Sequence, residues 1–159
     1  MRFNIAFRNF FIVLLSTLVL SACATQKKAS VQTVDDVYTG TETIEYLAKG
    51  VPDRIFFATN KSKLTTAARD TLRKQATWLR KNKDINITVE GHADERGTRE
   101  YNLALGERRA NAAKDYLITY GISGKRISVI SYGKERPGNP TSTPLAWSQN
   151  RRSVSVKAN

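Results

Sequence analysis

The chain has 159 residues, with 26 Lys and Arg against 14 Asp and Glu for a formal net charge of +12, one cysteine and one histidine. This length suits one domain with a single core. One cysteine excludes an intramolecular disulfide, one Cys and one His exclude a zinc site of those residue types, and so basic a balance directs the search for partners toward anionic ones, nucleic acid included.

Residues 1–22 read as an export signal. Arg2 and Arg8 lie in a stretch without acids, Phe10 to Leu20 form a short apolar run, and Ser21-Ala22 lead to Cys23. That is the layout of a secretory signal. Its end is similar to a bacterial lipobox, whose cysteine becomes the lipidated first residue of the mature protein, and Cys23 is the expected lipidation site. An ordinary cleaved signal with an incidental cysteine is the alternative. The apolar run is about half of the roughly 20 residues a spanning helix needs, which argues against a permanent transmembrane anchor. Cleavage before Cys23 leaves about 137 residues and, with Arg2 and Arg8 gone, a charge near +10. An exported chain meets little nucleic acid; it does meet anionic lipid headgroups, lipopolysaccharide and peptidoglycan carboxylates.

Residues 23–50 are expected to join the lipidated Cys23 to the domain as a flexible tether. Ala24 to about Gly40 is polar with little apolar periodicity. Thr41 to Gly50 is read as a short helix or turn, with Ile44 and Leu47 touching the domain.

Residues 51–159 are expected to form that domain. Arg54 to Phe57 is a short β-rich run, and Thr59-Asn60-Lys61-Ser62 a turn. Thr65 is a plausible N-cap for a helix to about Lys81, with Ala68, Leu72, Ala76 and Leu79 as its buried stripe. Eight basic residues between Lys61 and Lys83, opposed only by Asp70 until Lys83, read as a solvated helix face. Ile85, Ile87 and Val89 alternate with polar residues, as in a half-buried strand. Gly91 to Thr98 is a glycine-bounded loop. A second helix is predicted from about Tyr101 to Tyr120, ended by Gly121, with Leu103, Ala110, Ala113 and Leu117 inward. Ile127 to Tyr132 is a third strand. Lys134 to Asn150 holds three prolines, one of which, Pro144, can open a helical turn. Arg152 to Lys157 is the last strand. The order β-α-β-α-β-β, with two helices on one face of one four-stranded sheet, is an α+β two-layer sandwich.

The residues that carry chemistry gather between the second strand and the second helix. Asn102, Leu105 and Arg109 are spaced three and four apart and share a helical face, close to the loop that holds Asp94. A carboxylate and a guanidinium flanking a cleft near a helix N-terminus suit a zwitterion, Asp94 taking an ammonium and Arg109 a carboxylate. Spacing fits equally an Asp94–Arg109 salt bridge that only joins loop to helix. Arg108 points about 100° away around the helix. His92 reads as a loop-packing residue. Glu90, Asp94 and Glu95 make a poor carboxylate pair for glycoside cleavage, and the chain is not expected to be an enzyme. Trp78 and Trp147 read as covers for core edges rather than sugar platforms. Asn150-Arg151-Arg152 reads as a brace between the last strand and the long loop, a second basic contact being the alternative.

The run GHADERGTREYNLALGERRA from Gly91 to Ala110, with Ser131-Tyr132-Gly133, Ala146-Trp147 and Asn150-Arg151-Arg152, resembles the OmpA-like peptidoglycan-binding domain family, above all its peptidoglycan-associated lipoproteins. The similarity covers roughly Pro52 to Lys157. It implies an OmpA-like fold and a pocket for the diaminopimelate of the peptidoglycan stem peptide. The family's binding aspartate and arginine fall on Asp94 and Arg109. Thr98, Asn102 and Leu105 hold matching pocket positions, and Thr59 and Asn60 join them from the turn after the first strand. The lipoproteins commonly continue that strand into Phe-Asp-x-Asp; here Phe57-Ala58-Thr59-Asn60 lacks both acids. The resemblance further implies no cofactor, a lipid anchor in the outer membrane facing the periplasm, membership of the Tol-Pal system, and a TolB-like periplasmic β-propeller partner, with roles in envelope integrity and cell division. Ala24 is not the aspartate that retains many enterobacterial lipoproteins in the inner membrane. An OmpA-like lipoprotein that binds peptidoglycan outside the Tol system is the alternative.

Overall fold

The computed structural model describes residues 33–34, 36–41 and 45–158. The expected export signal, Cys23, much of the expected tether and Ile44 lie outside them. Packed structure begins well before residue 51. Strands β1 (Thr33–Val34) and β2 (Val37–Tyr38) pair antiparallel, with Val34 opposite Val37. Asp36, in their turn, has φ +65°, the left-handed region that tight hairpin turns use. Val37 and Tyr38 are buried, and Tyr38 meets Phe56 edge-on with ring centroids 4.8 Å apart. The tether reading therefore fails for this stretch. Strands β3 (Tyr46–Ala48) and β4 (Val51–Pro52) form a second hairpin where a helix or turn was expected, and Leu47 reaches the core as its apolar character suggests.

From Arg54 onward the expected order holds. Strands β5 (Arg54–Phe56), β6 (Ile87–His92), β7 (Ile127–Gly133) and β8 (Arg152–Lys157) make one sheet in the order β5-β8-β6-β7. β8 is antiparallel to both neighbours, and β6 and β7 run parallel. Helix α1 (Thr66–Lys81) starts at Thr65, whose hydroxyl accepts from the Ala68 N–H; helix α2 (Arg99–Thr119) starts at Thr98, whose hydroxyl accepts from the Tyr101 N–H. Each cap satisfies a donor that the first helical turn leaves free. Gly121 follows α2 with φ +84°. Helix α3 (Pro144–Asn150) is the short turn that Pro144 opens. The result is the expected α+β sandwich with an added N-terminal pair of hairpins.

Both long helices bury their apolar stripes on one face of the sheet. Ala68, Leu72, Ala76 and Leu79 from α1 and Ala110, Ala113 and Leu117 from α2 meet Ile55, Ile87, Val89 and Ile127. Leu103 departs from expectation at 48% exposed. Its carbonyl accepts from the Ser131 hydroxyl on β7, and β7 is the edge strand, so no further strand lies beyond to cover the side chain. Near that point α2 meets β6 backbone to backbone: a Cβ on Gly91 would land on the Gly106 carbonyl.

This topology brings four chain segments to one end of the sheet. Phe56 pairs with Arg152, Gly91 with Ser153 and His92 with Gly133. The ends of β5, β6 and β7 and the start of β8 thus lie side by side.

Candidate functional site

The loop after β6 carries Asp94, 7% exposed. Its Oδ1 accepts from the backbone N–H and Nε of Arg96, both 3.2 Å, and its Oδ2 accepts from Arg96 Nη2 at 2.7 Å and Arg151 Nη1 at 3.3 Å. A carboxylate offers about four lone-pair directions, and four donors fill them. Burial pushes this carboxyl up, but hydrogen bonds from Arg96, its charge and the bond from Arg151 hold it below the usual carboxylate value. The partners of Asp94 are therefore Arg96 and Arg151. The alternative Asp94–Arg109 salt bridge does not form.

Arg109 does share a buried face with Asn102 and Leu105, as their spacing requires. It is fully buried and faces the backbone: Nε donates to the Lys61 carbonyl at 2.9 Å, Nη1 to His92 at 2.8 Å and Nη2 to Ala58 at 3.1 Å. Its guanidinium lies 5.3 Å from the Phe57 ring. Burial, then the charge of Arg151, lower its pKa to about 10, so it remains a cation at neutral pH. One N–H on each terminal nitrogen stays uncommitted, given five donors in all. Arg109 thus holds the turn of residues 58–61, in which Asn60 sits exposed with φ +54°, against the end of β6. Arg108, next to it, is exposed, as expected.

The loop of residues 93–98 is fixed from several sides. The Asn102 side chain donates to the Arg96 carbonyl at 2.8 Å, and Lys134 Nζ to the Gly97 carbonyl at 2.7 Å. Trp147 Nε1 donates to Glu95 at 2.8 Å, and the Arg96 guanidinium stacks 4.4 Å from the Trp147 ring. Trp147 is therefore part of this loop's support rather than a core cover; Trp78, by contrast, packs against the core edge. The Arg96 side chain, 42% exposed, forms the outer rim and donates to the Thr59 hydroxyl at 3.3 Å. His92 is buried near Tyr132, ring centroids 5.6 Å apart, in the packing role expected of it.

Arg96 and Asp36 have no role in the sequence reading, and Arg151 enters it only within the Asn150-Arg151-Arg152 run. Arg151, 1% exposed, donates to the Phe57 carbonyl at 3.1 Å, to Asp94, and to Asp36 Oδ1 at 2.8 Å, with a further bond to the Asp36 carbonyl. Asp36 Oδ2 accepts from the Thr59 N–H at 2.8 Å. Arg151 belongs to the Asn150-Arg151-Arg152 run, a visible signal, and it does brace the last strand while also joining two carboxylates. Asp36 left no sequence signal, because its partners lie far along the chain.

The fold and the cluster together define a class: an α+β sandwich with a charged site where its strands end. The chain belongs to the OmpA family, whose sequence profile matches residues 56–151. It is 46% identical over 149 residues to the peptidoglycan-associated lipoprotein of Rhizobium meliloti, covering 91% of this chain and 85% of that one. It is 55% identical over 106 residues to the protein of the same name from Mesorhizobium japonicum, a match spanning 67% of this chain and 63% of the relative. The crystal structure of the peptidoglycan-associated lipoprotein from Burkholderia pseudomallei matches with a TM-score of 0.65 at 32% identity, over 67% of this chain and 90% of that one. The C-terminal domain of Helicobacter pylori MotB, at 22% identity and a TM-score of 0.63, shares the fold.

Proposed function

We propose that the chain is a non-catalytic outer-membrane lipoprotein, acylated on Cys23, whose domain holds peptidoglycan non-covalently through the charged site and so ties membrane to wall. Its ligand is the diaminopimelate end of the stem peptide, and its setting is the Tol-Pal system, with a TolB-like periplasmic β-propeller as protein partner and roles in envelope integrity and division. The observation that carries this reading is the convergence of Asp94, Arg96, Arg109 and Arg151 at one end of the sheet, within a domain similar to peptidoglycan-associated lipoproteins.

Each residue has a role in that reading. Arg96 at the rim meets the ligand's carboxylate in a charge-assisted hydrogen bond. Asp94 holds Arg96 and Arg151 in place. Arg109 carries the turn with Thr59 and Asn60 from beneath, its cation lying under the site. Thr98 and Asn102 fix the loop to α2, and Leu105 buries that helix one turn before Arg109.

Co-sedimentation of the full chain, in mild detergent, with purified sacculi tests the reading. The chain is expected to pellet, to be released by free diaminopimelate, and to leave no soluble muropeptides behind. Arg96→Ala should fold and pellet poorly. A chain that stays in the supernatant, or pellets equally with diaminopimelate present, overturns the proposal. Recovery of a TolB-like β-propeller in a periplasmic pull-down is the outcome expected of a Tol-Pal member.

A further inference from the structure

The site as built poses a problem of charge. A zwitterionic ligand brings an ammonium, yet Asp94 is 7% exposed and its four acceptor directions already receive Arg96 and Arg151. The turn of residues 57–60 contributes no acid. Among the described residues two other carboxylates come near: Glu95, whose two oxygens accept from Trp147 and Ser142, and one from the N-terminal hairpin that meets Arg151 directly. Asp36 accepts once on each oxygen, from Arg151 Nη2 at 2.8 Å and from the Thr59 N–H at 2.8 Å. About two of its four lone-pair directions remain open, and its side chain is 54% exposed. It shares Arg151 with Asp94 and faces the charge of Arg96 as well.

We propose that Asp36 is the ammonium-binding carboxylate of this site, lent to it by the hairpin of β1 and β2. Arg151 couples it to Asp94, one guanidinium aligning two carboxylates, while Arg96 stands at the rim for the ligand's acidic group. Hydrogen bonding from Thr59 and the charges of Arg151 and Arg96 outweigh burial and keep the Asp36 carboxyl below its usual value, so it is an anion at neutral pH. The hairpin is then a working part of the site. This inference rests on the proposed function above and adds a specificity residue to it.

The test is titration calorimetry of the full chain in detergent with two probes: the tripeptide L-Ala-γ-D-Glu-meso-diaminopimelate, and the same peptide acetylated on its side-chain amine. Asp36→Asn keeps the shape and removes the charge; Asp70→Asn, on the exposed face of α1, removes the same charge away from the cluster. Asp36→Asn should weaken the free-amine peptide about tenfold or more, the scale of one hydrogen bond to a charged group, and leave the acetylated peptide unchanged. Asp70→Asn should change neither. Equal weakening of both peptides would mean that Asp36 only supports Arg151, and unchanged binding would mean that it takes no part. Tighter binding would show that Asp36 stands where a ligand carboxylate goes. Each of these overturns the proposal. If the parent chain binds neither peptide, the peptidoglycan reading fails first and this inference falls with it.

Discussion

Arg109 commits three of its N–H groups to the carbonyls of Ala58, Lys61 and His92; truncation would take that donor from all three, and of them the Ala58 carbonyl keeps the Lys61 N–H. A buried acceptor left without a donor costs about 1–3 kcal/mol. Arg109→Ala is therefore expected to lower stability by about 3–5 kcal/mol in denaturant unfolding, whereas the exposed Arg108→Ala should stay within about 0.5 kcal/mol. From sequence, Arg109 reads as a carboxylate-binding residue or as a partner of Asp94. Helical spacing placed it on the right face beside Asn102 and Leu105, but spacing names a direction and not a partner. Asp94 reads from sequence as a loop residue beside that face, with a bridge to Arg109 left open; in the fold its partners are Arg96 and Arg151. His92 allows a second prediction. Burial, then the charge of Arg152, lowers its pKa from 6.5 to about 3. Between those values the unfolded chain binds a proton that the folded chain does not, so stability is complete above pH 6.5 and falls as pH drops. By pH 5 the loss should be about 2 kcal/mol. Asp36 and Asp94 are held below the usual carboxylate value and stay charged between pH 7 and pH 5. Thermal melts at pH 7 and pH 5 check this: His92→Gln should flatten the difference, and an unchanged difference would contradict the assignment.

At the scale of elements, the close crossing of α2 over β6 decides whether the site can assemble. Gly91 and Gly106 let the two backbones touch, and neither backbone can give way. Gly91→Ala should cost about 3 kcal/mol or more, because overpacking a fixed contact displaces whole elements. Gly121→Ala has φ +84° but nothing within 4 Å, so it should cost only about 1 kcal/mol. Equal melting points for the two variants would refute the crossing argument. The long helices and β6 to β8 were legible because their apolar stripes run for several periods, and the Thr65 cap is explicit; the Thr98 cap, read as loop, put the second helix two residues late. β1 to β4 were not. Each is two or three residues long, too short for alternation to register, and polar residues surround them. What holds β2 is tertiary: the Phe56 ring and the Arg151–Asp36 pair.

For the molecule as a whole, the reading of Cys23 as a lipidation site and the charge of the cluster each carry a prediction. Cys23→Ser removes the thiol that lipidation requires, and stable attachment needs more than one acyl chain. Detergent partitioning should move the variant from the membrane to the soluble fraction; retention equal to the parent would defeat the lipoprotein reading. Because the site is built of charges near the surface, its hold on sacculi should weaken with added salt, as screening at about 0.15 M already acts over about 8 Å. The family resemblance and the reading of Cys23 as a lipidation site both rest on contiguous runs. The contact of Asp36 with Arg151 rests on none, because 115 positions separate the two.

The sheet order carries a consequence in time. β8, the last strand of the chain, lies in the interior of the sheet between β5 and β6. A chain delivered N-terminus first therefore has to wait for its final residues before its two earlier strands have anything to join them. Arg151 arrives at the same moment, one residue ahead of β8, and closes both carboxylates at once. Assembly of the scaffold and arming of the site are a single late event. A chain stopped at Asn150 should give no cooperative unfolding transition, and adding a synthetic peptide of residues 151–159 should restore it.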